Sequence, residues 1–159
     1  VVRGKTAALF EAACKVGGVI SQADEKIVDA LAAYGDALGI SFQIADDLLD
    51  YGGASNAMGK NIGDDFRERK MSLPLIKALA KADDVERDFW KRTIEKGQQG
   101  DGDLEHALKL MAKHGALEAT RNDALYWAEK AKDAMSALPQ SDIRDTLMAL
   151  PDYVVSRAY

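Results

Sequence analysis

The segment AAYGDALGISFQIADDLLDY, residues 32–51, decides the fold class of this 159-residue chain. Apolar residues fall on nearly every side of the helix that residues 24–51 would form, so we expect a long helix buried at the centre of the fold. Its first half carries residues small enough to let a neighbouring helix approach closely: Ala30, Ala32, Ala33, Gly35, Ala37 and Gly39. Three carboxylates near its end, Asp46, Asp47 and Asp50, are the anomaly, because buried charge without a cationic partner is costly.

The rest of the chain is also predicted to be helical. Only three prolines occur, and no stretch alternates apolar and polar residues as a half-buried strand does, so the fold class is all-α. We expect further helices over residues 2–20, 73–82, 83–96, 104–113, 117–138 and 142–157. Suitable helix N-caps are Asp83, Asp103 and Ser141. One long loop, rich in glycine, is expected between Tyr51 and Asp65.

Composition narrows the class of function. The chain is 47% hydrophobic and 30% charged, and its formal net charge of -5 gives no broad attraction for nucleic acid phosphates. No uninterrupted apolar run approaches the roughly 20 residues of a membrane span, and a single cysteine excludes an internal disulfide framework, so we expect a cytoplasmic protein. Val1 opens directly into helical pattern without an initiator methionine or a signal peptide, so we expect the chain to begin in mid-protein.

The carboxylates have the spacing of a metal site on a helix. Asp46 and Asp50 are four residues apart and share one face, Gln43 lies one turn earlier on that face, and Asp47 is rotated by about 100°. Oxygen ligands of this kind suit Mg²⁺, which keeps several waters and is shared between one or two carboxylates and substrate phosphates. The pattern thus indicates a polyphosphate ligand. The alternative is a solvated acidic helix end in which Asp50 forms the turn.

Cationic residues accompany these acids. The loop and the residues after it interleave basic side chains with acidic ones: Lys60, Arg67, Arg69 and Lys70 with Asp64, Asp65 and Glu68. Lysine and arginine would neutralise and orient the phosphate charge that the metal does not offset. A mixed-charge surface loop is the alternative for this stretch. Lys5 and Thr6 interrupt an otherwise apolar first helix, where the lysine could also simply extend outward.

Three stretches in register resemble a known family. They are residues 39–51 (GISFQIADDLLDY), residues 59–76 (GKNIGDDFRERKMSLPLI) and residues 3–13 (RGKTAALFEAA). They are similar to the second aspartate-rich region and the upstream lysine–threonine helix of trans-polyprenyl diphosphate synthases of the bacterial farnesyl, geranylgeranyl or octaprenyl type. The resemblance implies that residues 1–159 are the C-terminal part of a single synthase domain, the C-terminal portion of the isoprenoid-synthase helical bundle.

The resemblance also implies roles for individual residues. Asp46 would be the principal Mg²⁺ ligand, with Asp47 and Asp50 completing the coordination directly or through water. Lys5 and Lys60 would contact the allylic diphosphate, and Thr6 and Gln43 would lie beside the nascent carbocation and the diphosphate. Lys70 and Asp65 would help close the site over the substrate.

The implied reaction is the condensation of isopentenyl diphosphate with an allylic diphosphate, in which Mg²⁺ and lysines assist departure of the diphosphate. The family's first aspartate-rich motif is not in this chain, so we expect an N-terminal half to complete the site, this chain alone to be inactive, and the intact enzyme to form a homodimer. Two alternatives remain at this point. One is a non-catalytic helical subunit or fragment of a heteromeric synthase, and the other is an enzyme resembling a terpene cyclase.

Overall fold

A computed structural model describes residues 2–52 and 62–158, and these residues form helices without any strand. The helices are α1 (Ala8–Ile20), α2 (Glu25–Tyr51), α3 (Asp64–Arg67), α4 (Leu73–Ala80), α5 (Asp84–Trp90), α6 (Asp103–Lys113), α7 (Ala116–Ala134) and α8 (Asp142–Ser156). The all-α prediction is confirmed. The predicted loop between Tyr51 and Asp65 lies largely outside the described residues. The short helix α3, which begins at Asp64, was not predicted, because four residues are too few to show helical periodicity.

Two of the predicted helices contain a π-helical turn that the sequence did not predict. The turn Arg3–Ala7 leads into α1, and the turn Lys91–Glu95 continues α5. In each turn an amide bonds a carbonyl five residues earlier, from Ala8 to Arg3 and from Lys96 to Lys91. The apolar pattern does not reveal such a single turn, although π turns occur frequently at functional sites.

The described residues form two compact units. The first contains the residues up to Ala45 together with Asp123–Ala158, and the second contains Asp46–Asn122. Helix α2 contributes residues to both, since Asp46 follows Ala45 within it. The single synthase domain inferred from the resemblance stays a prediction.

In the first unit, glycines bring α1 and α2 into backbone contact. A Cβ atom on Gly35 would lie 2.5 Å from the carbonyl oxygen of Phe10, and one on Gly39 would lie 2.6 Å from the Cα atom of Ala7. The prediction that small residues permit a close approach is therefore confirmed at these two positions. Burial of α2 is less complete than predicted: its buried residues lie from Tyr34 onward, where they alternate with half-buried ones and the exposed Asp46, and the earlier residues of the helix are exposed or half-buried.

Hydrogen bonds from two hydroxyl groups join α2 to the last two helices of the same unit. The Tyr34 hydroxyl donates a hydrogen bond of 2.8 Å to the carbonyl oxygen of Leu147 in α8. The buried Ser41 hydroxyl donates one of 3.0 Å to the carbonyl oxygen of Ala124 in α7. Polar groups in the buried part of α2 are thus satisfied by backbone acceptors.

The second unit has a core of its own, built from the end of α2 and from α3 to α7. Its most completely buried large side chains are Phe66, Leu75, Trp90 and Met111. Phe66 and Trp90 pack edge to face with ring centroids 6.5 Å apart. This core carries the segments that follow the aspartates in sequence.

Two of the three predicted N-caps are confirmed. Asp83 forms a reciprocal capping box with Glu86, and the Ser141 hydroxyl accepts from the Arg144 amide. The prediction for Asp103 is wrong, because Gly102, with φ of 85°, caps α6 and Asp103 is its first helical residue. The Asp103 carboxylate instead accepts from the Gly100 amide at 2.8 Å and pairs with Arg92.

Helix α2 has the length and composition of a membrane-crossing helix, although the sequence contains no uninterrupted apolar run of the length of a membrane span. It has 27 residues, and 44% of its most apolar window is buried within the protein. This is weak evidence for a membrane span, because a core helix passes the same test.

Candidate functional site

In the first unit, the structure brings together two of the predicted site residues. The Thr6 hydroxyl donates a hydrogen bond of 2.7 Å to Oε1 of Gln43, across the contact between the first helical segment and α2. Both side chains are half-buried. The bond joins residues 37 positions apart, so helix packing rather than local sequence creates the pair.

Lys5 lies in the same π turn as Thr6 and is exposed. Its ammonium group forms no ion pair with the residues that the structure describes. It is therefore available to an anion from outside this part of the chain. The π turn places this free cation and the Thr6 hydroxyl on consecutive residues.

In the second unit, the Asp50 carboxylate holds the segment that begins α3. Its two oxygens accept from the amides of Asp64 and Asp65 at 3.1 and 3.0 Å, and its carbonyl accepts from the Gly63 amide at 2.8 Å. Burial raises the pKa of Asp50; the two amide bonds oppose this rise, and the neighbouring charges of Asp65 and Asp64 add to it. The carboxylate thus anchors the chain where it returns to the end of α2.

Asp47 plays a similar part for the next helix. One of its oxygens accepts from the amide of Leu73, the first residue of α4, at 2.9 Å. Beside it, the Ser72 hydroxyl donates to the hydroxyl oxygen of Tyr51 at 3.1 Å, and burial raises the pKa of Tyr51. The last turn of α2 is therefore joined by hydrogen bonds to the start of α4.

Asp46 differs from the other two aspartates. Its side chain is exposed and has no hydrogen-bond or ionic partner among residues 2–52 and 62–158. Within the same ranges no group of three or more histidine, cysteine, aspartate or glutamate side chains is arranged to hold a metal ion. A metal at this position would therefore take most of its ligands from water and phosphate, which is the usual manner of Mg²⁺ and fits a free aspartate.

The charged residues after the loop pair mainly with one another. Lys70 bonds Oδ1 of Asp65 at 3.1 Å and Glu68 at 2.7 Å, and these two acids, Glu68 foremost, raise the pKa of Lys70. Arg67 pairs with Asp64 at 2.9 Å. Lys60, the remaining predicted contact to diphosphate, lies outside the described residues.

Sequence reasoning treated the three aspartates as one group, and it did not predict that Asp47 and Asp50 bind the backbone. The sequence does contain a signal for this role. Gly63, Asp64 and Asp65 can begin a helix, and the Asp50 carboxylate is a suitable acceptor for the unpaired amides at a helix start. The alternative interpretation, in which Asp50 forms the turn of a solvated acidic helix end, does not match the structure, because Asp50 lies within α2 and is half-buried.

Comparisons with known proteins agree on one family. The model of the family described as polyprenyl synthetase matches residues 1–111. The octaprenyl diphosphate synthase of Escherichia coli is 38% identical over 157 residues, which cover 99% of this chain and 48% of that protein.

Crystal structures give the same result. A decaprenyl diphosphate synthase from Rhodobacter capsulatus is 62% identical with a TM-score of 0.93, over 99% of this chain and 49% of that one. A polyprenyl synthase from Caulobacter crescentus, complexed with calcium and isoprenyl diphosphate, is 45% identical with a TM-score of 0.91, over 99% and 48%. The chain spans about half the length of these relatives.

Proposed function

The chain belongs to the polyprenyl synthetase family, and on that premise we propose that the protein condenses isopentenyl diphosphate with an allylic diphosphate. The observation that carries this proposal is the Asp46 carboxylate, which is exposed and has no partner among the described residues, in the part of α2 that is otherwise largely buried. Unlike Asp47 and Asp50, this carboxylate has no structural bond to account for it. An exposed carboxylate without a described partner can serve directly as an oxygen ligand of Mg²⁺.

Asp46 would hold Mg²⁺, and Asp47 and Asp50 would complete its surroundings directly or through water. Both already accept backbone hydrogen bonds, but each carboxylate oxygen has a second lone pair for another donor or ligand. When bound, Mg²⁺ would offset part of the diphosphate charge and so assist its departure as a leaving group.

The remaining residues would act by electrostatics and position. Lys5 is an exposed cation without a described partner, and it would bind a phosphate oxygen of the allylic substrate, as would Lys60. Thr6 and Gln43 form a fixed polar pair whose oxygen lone pairs would stabilise developing positive charge. Lys70 would bind a phosphate only after breaking its ion pairs with Asp65 and Glu68. Any closure of this segment over the substrate would therefore involve those two acids as well.

We propose further that the intact protein uses isoprenyl diphosphates of unspecified chain length, acts in the cytoplasm and forms a homodimer, with the rest of the synthase supplying the first aspartate-rich motif. The named relatives differ in product, octaprenyl in one and decaprenyl in another, so chain length is not part of the proposal.

The test is prenyl transfer by the intact protein, measured with radiolabelled isopentenyl diphosphate, an allylic diphosphate and Mg²⁺. Asp46→Asn should lower turnover by about 100-fold or more, since even residues behind a metal's direct ligands typically contribute tenfold to 100-fold. Asp84→Asn, at the exposed start of α5 in the same unit, is the matched control and should leave turnover unchanged. A non-catalytic subunit would show no turnover at all, and equal activity of the Asp46→Asn and control variants would refute the assigned role.

A further inference from the structure

The second unit contains a cavity that the proposed reaction does not use. Its volume is about 760 Å³, which lies within the range of small-molecule sites. Its apolar lining comes from the segment before α4, from α4, from α5 and from the turn after α5, and consists of Met71, Leu75, Leu79, Ala80, Trp90 and Ile94. Leu75, Trp90 and Ile94 are buried, so the floor of the cavity is part of the core of the unit.

The charged residues that line the cavity are predominantly cationic. The lining contains three basic residues, Arg69, Arg87 and Lys91, and one acidic residue, Glu95. All four side chains are exposed. None of them forms an ion pair with a residue in the described ranges. This contrasts with the neighbouring Arg67 and Lys70, whose charges are already compensated by acids. The excess positive charge at the cavity is therefore available to an anion.

Arg69 is held in place at the edge of this cavity. Its backbone is in the left-handed region, with φ of 58°, a conformation that glycine adopts without the steric cost that an arginine meets. Its guanidinium group lies against Gly97, where a Cβ atom would be only 2.6 Å from Nη1. A glycine at position 69 would relieve the backbone but remove this cation.

The floor of the cavity includes the Trp90 indole. Trp90 is 2% exposed, and its Nε1 is buried without a hydrogen-bond partner among the described residues. Because Nε1 has almost no accessible surface, a molecule in the cavity does not reach it, and the indole contributes only apolar surface to the floor.

We propose that this cavity binds a small anionic amphiphile, a molecule with an apolar chain and a phosphate or carboxylate group. The chain would occupy the apolar floor, and Arg69 and Lys91 would bind the anionic group. The inference does not rest on the proposed function, because the lining includes none of the residues assigned to the condensation.

Binding is tested by calorimetry on the intact protein with decyl phosphate below its micellar concentration. EDTA is present, so that a Mg²⁺-dependent diphosphate site cannot contribute. We expect one saturable site, with inorganic phosphate and uncharged decanol each binding at least about tenfold more weakly, since each lacks one half of the recognised chemistry. Failure of decyl phosphate to saturate the protein overturns the proposal, as does binding only to vesicles of anionic phospholipid.

Substitutions locate the site. Arg69→Gly combined with Lys91→Gln should weaken binding about tenfold or more. The glycine relieves the strained backbone, and a thermal unfolding scan checks that the double variant is folded. Lys96→Gln, an exposed cation of the same unit outside the lining, is the matched control and should bind like the wild type.

Two results would contradict this location. An equal loss in Lys96→Gln would mean that the ligand is attracted by general surface charge. A loss in Lys5→Gln with none in the Arg69 and Lys91 variant would place the ligand at the residues assigned to the condensation instead. Because the readout is binding without metal, the proposal can fail while the prenyl transfer assay succeeds, and the reverse also holds.

Discussion

In the first unit, Thr6 and Gln43 meet where two helices touch at Gly35 and Gly39, whereas in the second unit Asp47 and Asp50 meet the amides of segments that follow later in the chain. The first arrangement depends on the absence of side chains, and the second depends on hydrogen bonds to carboxylates. In the first unit, helix packing positions the predicted site residues. In the second unit, the predicted site residues are themselves the groups that hold neighbouring segments in place.

Disturbing the helix contact should have the largest effect. Gly35→Val places a side chain where even a Cβ atom would be 2.5 Å from the Phe10 carbonyl oxygen, so α1 must move away from α2. We expect the free energy of unfolding to fall by about 3 kcal/mol, measured by denaturant titration. Gly17→Ala in α1 has open space around it and should instead stabilise the protein by up to about 1 kcal/mol. Equal destabilisation by the two variants would mean that close packing is not what joins these helices.

The next largest effect should distinguish Asp50, which binds the backbone, from Asp46, which does not. Asp50→Ala leaves the amides of Asp64 and Asp65 without their acceptor and should lower the free energy of unfolding by about 2 kcal/mol. Asp46→Ala should change it by no more than about 0.5 kcal/mol, because Asp46 is exposed and has no described partner. Both variants are measured by denaturant titration in buffer without Mg²⁺. The division of roles fails if Asp46→Ala is the more destabilising of the two.

A smaller effect is expected at the polar pair of the first unit. Thr6→Val removes the hydroxyl that donates to Gln43 while keeping the shape of the side chain, and should cost about 1 kcal/mol. Thr6→Ser retains the hydroxyl and is the control. If serine and valine give the same thermal midpoint, the hydrogen bond contributes nothing to the stability of the helix contact.

The last prediction applies only in acid and concerns the second unit. Lys113 and His114, at 2.6 and 2.7 Å, lower the pKa of Glu86 from 4.5 to about 2. A lowered folded-state pKa stabilises the protein above pH 4.5, and this contribution is lost as the pH falls from 4.5 to about 2. In Glu86→Gln, the denaturant midpoint should therefore depend less on pH over this window, whereas Glu118→Gln, an exposed residue of the same unit, should follow the wild type. Identical pH profiles for all three proteins would contradict the prediction.

The helices and the caps at Asp83 and Ser141 could be predicted because each depends on residues within a few turns of one another. The close approach at Gly35 and Gly39 could be predicted from the run of small residues, but the helix that packs there could not. The role of Asp50 could not, because the amides that it binds are 14 and 15 residues away and nothing local specifies that return. Asp103 was misassigned by one residue because Gly102 takes the left-handed conformation and starts the helix earlier than an aspartate cap would.

The π turn at Arg3–Ala7 has a consequence for how such a helix can change in evolution. A π turn closes its hydrogen bond over one more residue than an α turn, so it can accommodate a single-residue insertion without breaking the helix. Deleting one residue at the end of this turn would restore α-helical spacing and rotate the earlier residues of the turn relative to α1. Lys5 and Thr6 would then point elsewhere while the Ala8–Ile20 helix kept its place against α2. Deletion of a single codon can therefore redirect the Lys5 ammonium group and the Thr6 hydroxyl while the packing of α1 against α2 changes little.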